Sequence, residues 1–321
     1  MPKIDYINIL KNSWHLTWHN RFLWWFGLIL VIGGGGFNLN FPLSTNNEKI
    51  DNEKFIQAAS AFLDRYWQWI AAGAILLFIL IIIIAVLKII SRAGLIKSIS
   101  EIILGKTATF KKGFNEGKKY FWKLFFLGLM IFLFIMGIIL ALLTPVIFLV
   151  YLKSYIWAAI LGVFAVLLII VLGIIISFIK EYSRLYLVLS NLNVKNSLEN
   201  GYLVFRKNIL PSVIFSLLLV AIGMIVGLAI LFSVIIIAAV FFIFGLAAYL
   251  LLKWVGVVMV AIPGILAIIA VGLAVQSIFA VFRQTAWILF FQEIAAIKSE
   301  ETVKEKETIK VSEKVLDAGE A

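Results

Sequence analysis

The chain has 321 residues, is 63% hydrophobic, and carries a net charge of +11 with no cysteine. A soluble domain sits near half apolar, so this composition, with a mean hydropathy of +1.09, points to an integral membrane protein. The missing thiols exclude disulfides, thiolate metal sites and cysteine nucleophiles, and the basic balance lacks the aromatic-interleaved loops of a nucleic-acid binder.

Residues 4–20 set Ile4, Ile7, Leu10, Trp14 and Trp18 three or four apart, with Lys3, Asp5, Lys11 and Asn12 between them. That spacing predicts an amphipathic helix lying in the membrane interface, within an N-terminal segment 1–21. An integral membrane domain is expected over 22–292. Its first span, near 22–36, is short and ends in Gly33–Gly36, a run that stops a helix through backbone entropy. The polar loop 37–66 is assigned to the outside by the excess of Lys and Arg elsewhere. Trp67 and Trp69 are interfacial aromatics at the start of span two, near 67–90. Ser91–Gly105 reads as a cytoplasmic amphipathic linker that stops at Gly105, with Thr109 as the N-cap of the next helix. Spans three and four fall near 124–145 and 156–179, with Pro145 and Lys153-Ser154 breaking the run between them. Lys180–Lys207 reads as a second cytoplasmic linker. The last apolar block gives spans near 209–232 and 260–283, with a break expected at Pro263-Gly264. The stretch 233–258 fits an extra span, an interfacial helix or an extension of its neighbours, since every face is apolar. Residues 293–321 form a charged cytoplasmic tail, either helical or disordered.

A phrase recurs within this frame. Thr109–Lys123 and Asn193–Lys207 share Lys111/Lys195, Gly117/Gly201, Phe121/Phe205 and Lys123/Lys207, and each precedes a long apolar run. Three spans also leave the membrane near an arginine and continue apolar, at Arg92, Arg184 and Arg283. Together these predict an all-α, polytopic transmembrane helical bundle. Three helical hairpins stand in tandem, joined by amphipathic cytoplasmic helices, with both termini on the cytoplasmic side of the cell membrane.

Residues able to carry chemistry are few. His15 and His19 share a helix face, but two ligands without a third make a poor zinc site. Gly33–Gly36 lacks the strand and lysine of a phosphate-binding loop. Ionisable groups in or near spans reduce to Lys153, Lys253 and Arg283, with no acid to pair with Lys253, which argues against ion-coupled transport. No catalytic, cofactor or metal site is expected. Lys111, Lys112, Lys118, Lys119, Lys123 and Lys207 stand at the cytoplasmic headgroup level and set topology, with contact to anionic lipid headgroups as their second role. Gly223 and Gly227 have the small-xxx-small spacing that packs helices within a bundle or between copies of the chain. The expectation is a non-enzymatic membrane-organising or regulatory protein that contacts anionic membrane lipids and binds no nucleic acid. The alternative is a carrier or permease-like protein for a lipidic or amphiphilic solute.

Arg21-Phe-Leu-Trp-Trp-Phe-Gly27 with its glycine run, Arg92-Ala-Gly-Leu-Ile96, Gly117 with Phe121-Trp122-Lys123, and Thr285-Ala-Trp-Ile-Leu289 resemble recurring phrases of a bacterial multi-pass family. That family is similar to the group named after the membrane domain of glycerophosphoryl diester phosphodiesterase. The resemblance spans most of residues 14–292 and implies an α-helical membrane domain of about six spans with no assigned activity. The hydrolase function does not carry over, because the chain has no soluble barrel and no His, Glu and Asp cluster for its metal.

Overall fold

The computed structural model describes the backbone of residues 4–34 and 52–319 and the side chains of residues 4–34, 60 and 62–295. Among the described residues every element is a helix: α1 Tyr6–His19, α2 Leu23–Gly33, α3 Asn52–Ile103, α4 Phe110–Lys119, α5 Phe121–Tyr151, α6 Tyr155–Leu189, α7 Val194–Lys207 and α8 Ile209–Gly319. The expected all-α bundle is what forms. Four helices are long and apolar enough to cross a membrane, over Phe62–Ile103, Phe121–Tyr151, Tyr155–Leu189 and Ile209–Ala295.

Several boundaries differ from those read in the sequence. The helix expected near 22–36 is the 11-residue α2, about 16 Å long at 1.5 Å per residue and about half the hydrocarbon thickness. Of the loop expected over 37–66, residues 52–66 belong to α3, and 37–51 lie outside the described residues. Span two and the linker after it form one 52-residue helix. Likewise α6 runs through Lys180 and ends at Leu189. Neither proline breaks its helix: Pro145 lies inside α5 and Pro263 inside α8. In hydrocarbon a proline forfeits one backbone bond, whereas ending the helix would leave several groups unpaired.

The reversals fall on lysines. Lys153 turns the chain between α5 and α6 with φ 56°, and Lys253 turns α8 back on itself with φ 51°. The two arms of α8 then run antiparallel, with Gly256 against Ala248, Gly264 against Phe241 and Gly223 against Phe279. Residues 233–258 thus extend their neighbours and hold the tip of a hairpin. Gly105 has φ +71° just past the end of α3, the left-handed stop expected of it. Thr109 Oγ1 accepts from the Lys112 N–H at 3.4 Å, while Asn193 occupies the N-cap of α7 without a side-chain bond.

The short helices lie against the ends of the long ones. α4 packs on α3, α7 on α6, and α1 on α8. The first two contacts are close enough to require glycine. A Cβ on Gly117 would strike the Ile90 carbonyl and come within 2.9 Å of Gly94 N. A Cβ on Gly201 would come within 2.8 Å of Ser183 N and 3.1 Å of the Ile179 carbonyl. Each glycine thus meets two residues four apart, so Ile90 corresponds to Ile179 and Gly94 to Ser183. By that register Arg92 corresponds to Glu181, three residues away from the match that the arginines alone suggest. α1 turns Ser13 and Thr17, both fully buried, into the equivalent interface.

Aromatic packing holds this end together. Phe215 stacks on Phe290 at 4.2 Å and meets Trp287 edge-on at 5.3 Å. Tyr182, with no exposed surface, has its hydroxyl 2.6 Å from Ser212 Oγ. Ser212 gives its one proton to the Asn208 carbonyl, so Tyr182 is the donor. Ser277 Oγ donates to the Trp24 carbonyl at 2.5 Å and ties α2 to α8.

Candidate functional site

Where α3, α6 and α8 meet, the three exit arginines come together. Glu181 is at the centre. Its Oε2 accepts from Arg184 Nη1 at 3.0 Å, and its Oε1 accepts from Gln284 Nε2 at 3.2 Å. Arg92 and Arg283 lie within electrostatic reach of the same carboxylate. Lys88 and Lys180, one turn before Arg92 and Arg184, lie within reach of both of those arginines. Five cations therefore gather here, four of them within electrostatic reach of Glu181. Arg92 Nε is buried and has no hydrogen-bond partner. Arg283 remains accessible through the cavities that it lines.

Three cavities open around Arg92. The first, about 320 Å³, lies between the cations and α5 and includes Lys88, Lys180, Arg184, Phe125 and Gly128 in its walls. The second, about 450 Å³, runs between α2 and α8 past Arg283, Gln284, Gly223 and Gly227. The third, about 330 Å³, contains Glu181, Arg283, Ser177 and Trp287. A fourth cavity of about 500 Å³, lined by Phe241, Tyr249 and Trp254 among others, lies near the α8 tip and is almost wholly apolar.

Burying cations is costly: insertion scales give about 2.5–3.5 kcal/mol for Lys or Arg at a helix centre. One carboxylate cannot neutralise five of them. Chemically, Arg and Lys supply the hydrogen-bond donors and positive charge that suit an anion. Among the described residues no three His, Asp or Glu come together. His15 and His19 stack on one another at 3.8 Å.

The lysines singled out in the sequence lie elsewhere. Lys111, Lys112, Lys118, Lys119 and Lys207 are exposed on α4 and α7. Lys112 pairs with Glu101 at 3.0 Å, Lys119 with Glu116 at 2.6 Å, and Lys118 sits 5.3 Å over the Phe114 ring. The Glu116 hydrogen bond and charge raise the Lys119 pKa above its ordinary value. Lys123 donates to Asn191 Oδ1 at 2.9 Å and bridges α5 to the chain after α6. Gly223 meets the Phe279 ring as a packing position does, but Gly227 has nothing within 4 Å of a Cβ and lines the second cavity. Lys153 and Lys253 sit at the hairpin tips, and Arg283 joins the cluster.

Lys88, Lys180, Glu181 and Gln284 escaped the sequence reading. One signal pointed to the two lysines: Lys88/Arg92 and Lys180/Arg184 share the same four-residue spacing. Lys180 reads in the sequence as the start of a linker, but α6 continues past it and carries Glu181 within the helix.

A bundle of long apolar helices with a polar cluster where three of them converge is the architecture of a helical membrane protein. The chain belongs to the family of unknown function DUF7544, whose model matches residues 15–296. That match supplies no link to the glycerophosphoryl diester phosphodiesterase group. No curated protein and no solved structure matches the chain.

Proposed function

We propose that this protein is a non-enzymatic component of the cytoplasmic membrane that holds an anionic amphiphile at its cytoplasmic face. The observation that carries the reading is the cluster of Lys88, Arg92, Lys180, Arg184 and Arg283 around the single acid Glu181, with cavities on three sides. The exposed lysines of α4 and α7 lie at the same end, which supports a cytoplasmic placement by the positive-inside rule and an attraction for anionic lipid. Gly128 lies five residues beyond Lys123 on α5, about 7 Å along the axis, the depth of a headgroup and its first methylenes. The amphipathic helices α4 and α7 pack on α3 and α6, and α1 packs on α8, so their docking brings the cations together. The repeated phrase therefore builds the receptor without binding the ligand itself.

A carrier for the same amphiphile is the second reading. It is favoured by the second cavity, which climbs past the cluster to Gly227 and Ile230. Against it, the cavity near the α8 tip is apolar and offers a charged head no onward path.

The test is co-purification. Wild-type protein extracted from its native membrane should retain anionic lipid, and Arg92→Gln with Arg283→Gln should retain several-fold less by mass spectrometry. Equal retention would remove the cluster from the function. Transport of labelled lipid between leaflets of proteoliposomes would select the carrier reading.

A further inference from the structure

The first cavity differs from the other two in its walls. Four cations line it, Lys88, Arg92, Lys180 and Arg184, and no acid does. Glu181 engages Arg184 from the far side and opens into the third cavity. Lys88, Arg92 and Lys180 form no ion pair among the described residues, although Arg92 and Lys180 feel the Glu181 charge. The orphaned Arg92 Nε is a buried donor without an acceptor. The opposite wall is α5, where Leu124, Phe125, Leu129 and Phe132 offer apolar surface, and Phe132 is 55% exposed. At the floor is Gly128, whose absent Cβ leaves space with nothing within 4 Å. A charged basin thus continues into an apolar slot running up α5 toward the hydrocarbon.

We infer that this cavity takes a lipid whose head ends in a multiply charged phosphate, a phosphomonoester or diphosphate, with its chain along the slot floored by Gly128. The inference rests on the amphiphile reading above and narrows it. A phosphodiester brings one negative charge to three unpaired cations. A terminal phosphate brings about two charges near neutrality and three acceptor oxygens, enough for Arg92 and both lysines. Gly128 assigns the slot to a chain, because a free phosphate needs no apolar wall beyond the cations.

The test uses the full-length protein in detergent with three probes: dioleoyl phosphatidic acid, dioleoyl phosphatidylglycerol with the same chains, and inorganic phosphate. Phosphatidic acid should bind at least tenfold more tightly than phosphatidylglycerol, and Lys88→Gln with Lys180→Gln should erase most of that difference. Gly128→Leu fills open space, so it should keep the wild-type melting temperature. It should weaken phosphatidic acid at least tenfold and leave any phosphate binding unchanged. Equal affinity for the two lipids would overturn the multiply charged head while leaving the amphiphile reading standing. Binding of neither lipid would overturn both. Tight lipid binding that Gly128→Leu leaves untouched, or inorganic phosphate bound as tightly as phosphatidic acid, would overturn the slot.

Discussion

The two ends of the long helices are built by different rules. At the end where α1, α4 and α7 dock, side chains interlock: Leu95, Ile96, Tyr182, Phe215 and Phe290 lose essentially all exposure. Toward the hairpin tips the helices present Ile75, Phe134, Phe164, Ile236 and Phe244 outward, as lipid-facing residues must be. Water drives the packing of the first end. Along the arms lipid is as good a solvent as another helix, so composition suffices and particular residues matter little. Specificity is therefore concentrated where the cations are, and the arms can vary without disturbing the site.

That contrast can be broken most severely at Gly117. Gly117→Leu drives a side chain into the backbone of α3 at Ile90 and Gly94, at a cost of about 3 kcal/mol or more. Little monodisperse protein should survive size-exclusion chromatography. The same change at Gly137 on an arm, where a Cβ meets nothing within 4 Å, should leave the profile intact. Next comes Phe215→Ala, which removes a ring stacked 4.2 Å from Phe290 and should destabilise by about 3–5 kcal/mol, with a large drop in melting temperature. Phe164→Ala, 60% exposed on α6, should barely move it. The smallest resolvable effect is Tyr182→Phe. It deletes the buried bond to Ser212 at about 1 kcal/mol, whereas Lys119→Gln, which removes a surface pair with Glu116, should change nothing measurable. Comparable losses on both sides of the glycine pair or of the phenylalanine pair would show that the arms pack as specifically as the docked end.

The sequence made the helices legible, because the apolar runs and the Gly105 stop are local signals. It also made the amphipathic faces of α4 and α7 legible, and it marked Arg92, Arg184 and Arg283 as a recurring feature. Helix ends were harder to read. Pro145 and Pro263 suggested breaks by rules calibrated in water, and the chain stays helical through them because hydrocarbon penalises an unpaired backbone. Lys180 looked like the start of a linker, and that assignment hid Glu181. The convergence of the cations was the least legible, since it depends on which helix each short helix lies under. The Gly117 and Gly201 contacts fix this register, and they shift the apparent match from Arg184 to Glu181.

One contact also orders the assembly in time. α1 leaves the ribosome before α2 to α7, and its partner α8 leaves after them. Until that final hairpin exists, Ser13 and Thr17 have no interface to enter, and the Trp24 carbonyl has no Ser277 to receive from. α1 must therefore wait through the synthesis of everything between, and the cation cluster is assembled only once α8 has been made. A nascent protein halted before residue 277 would carry most of its spans and no finished basin.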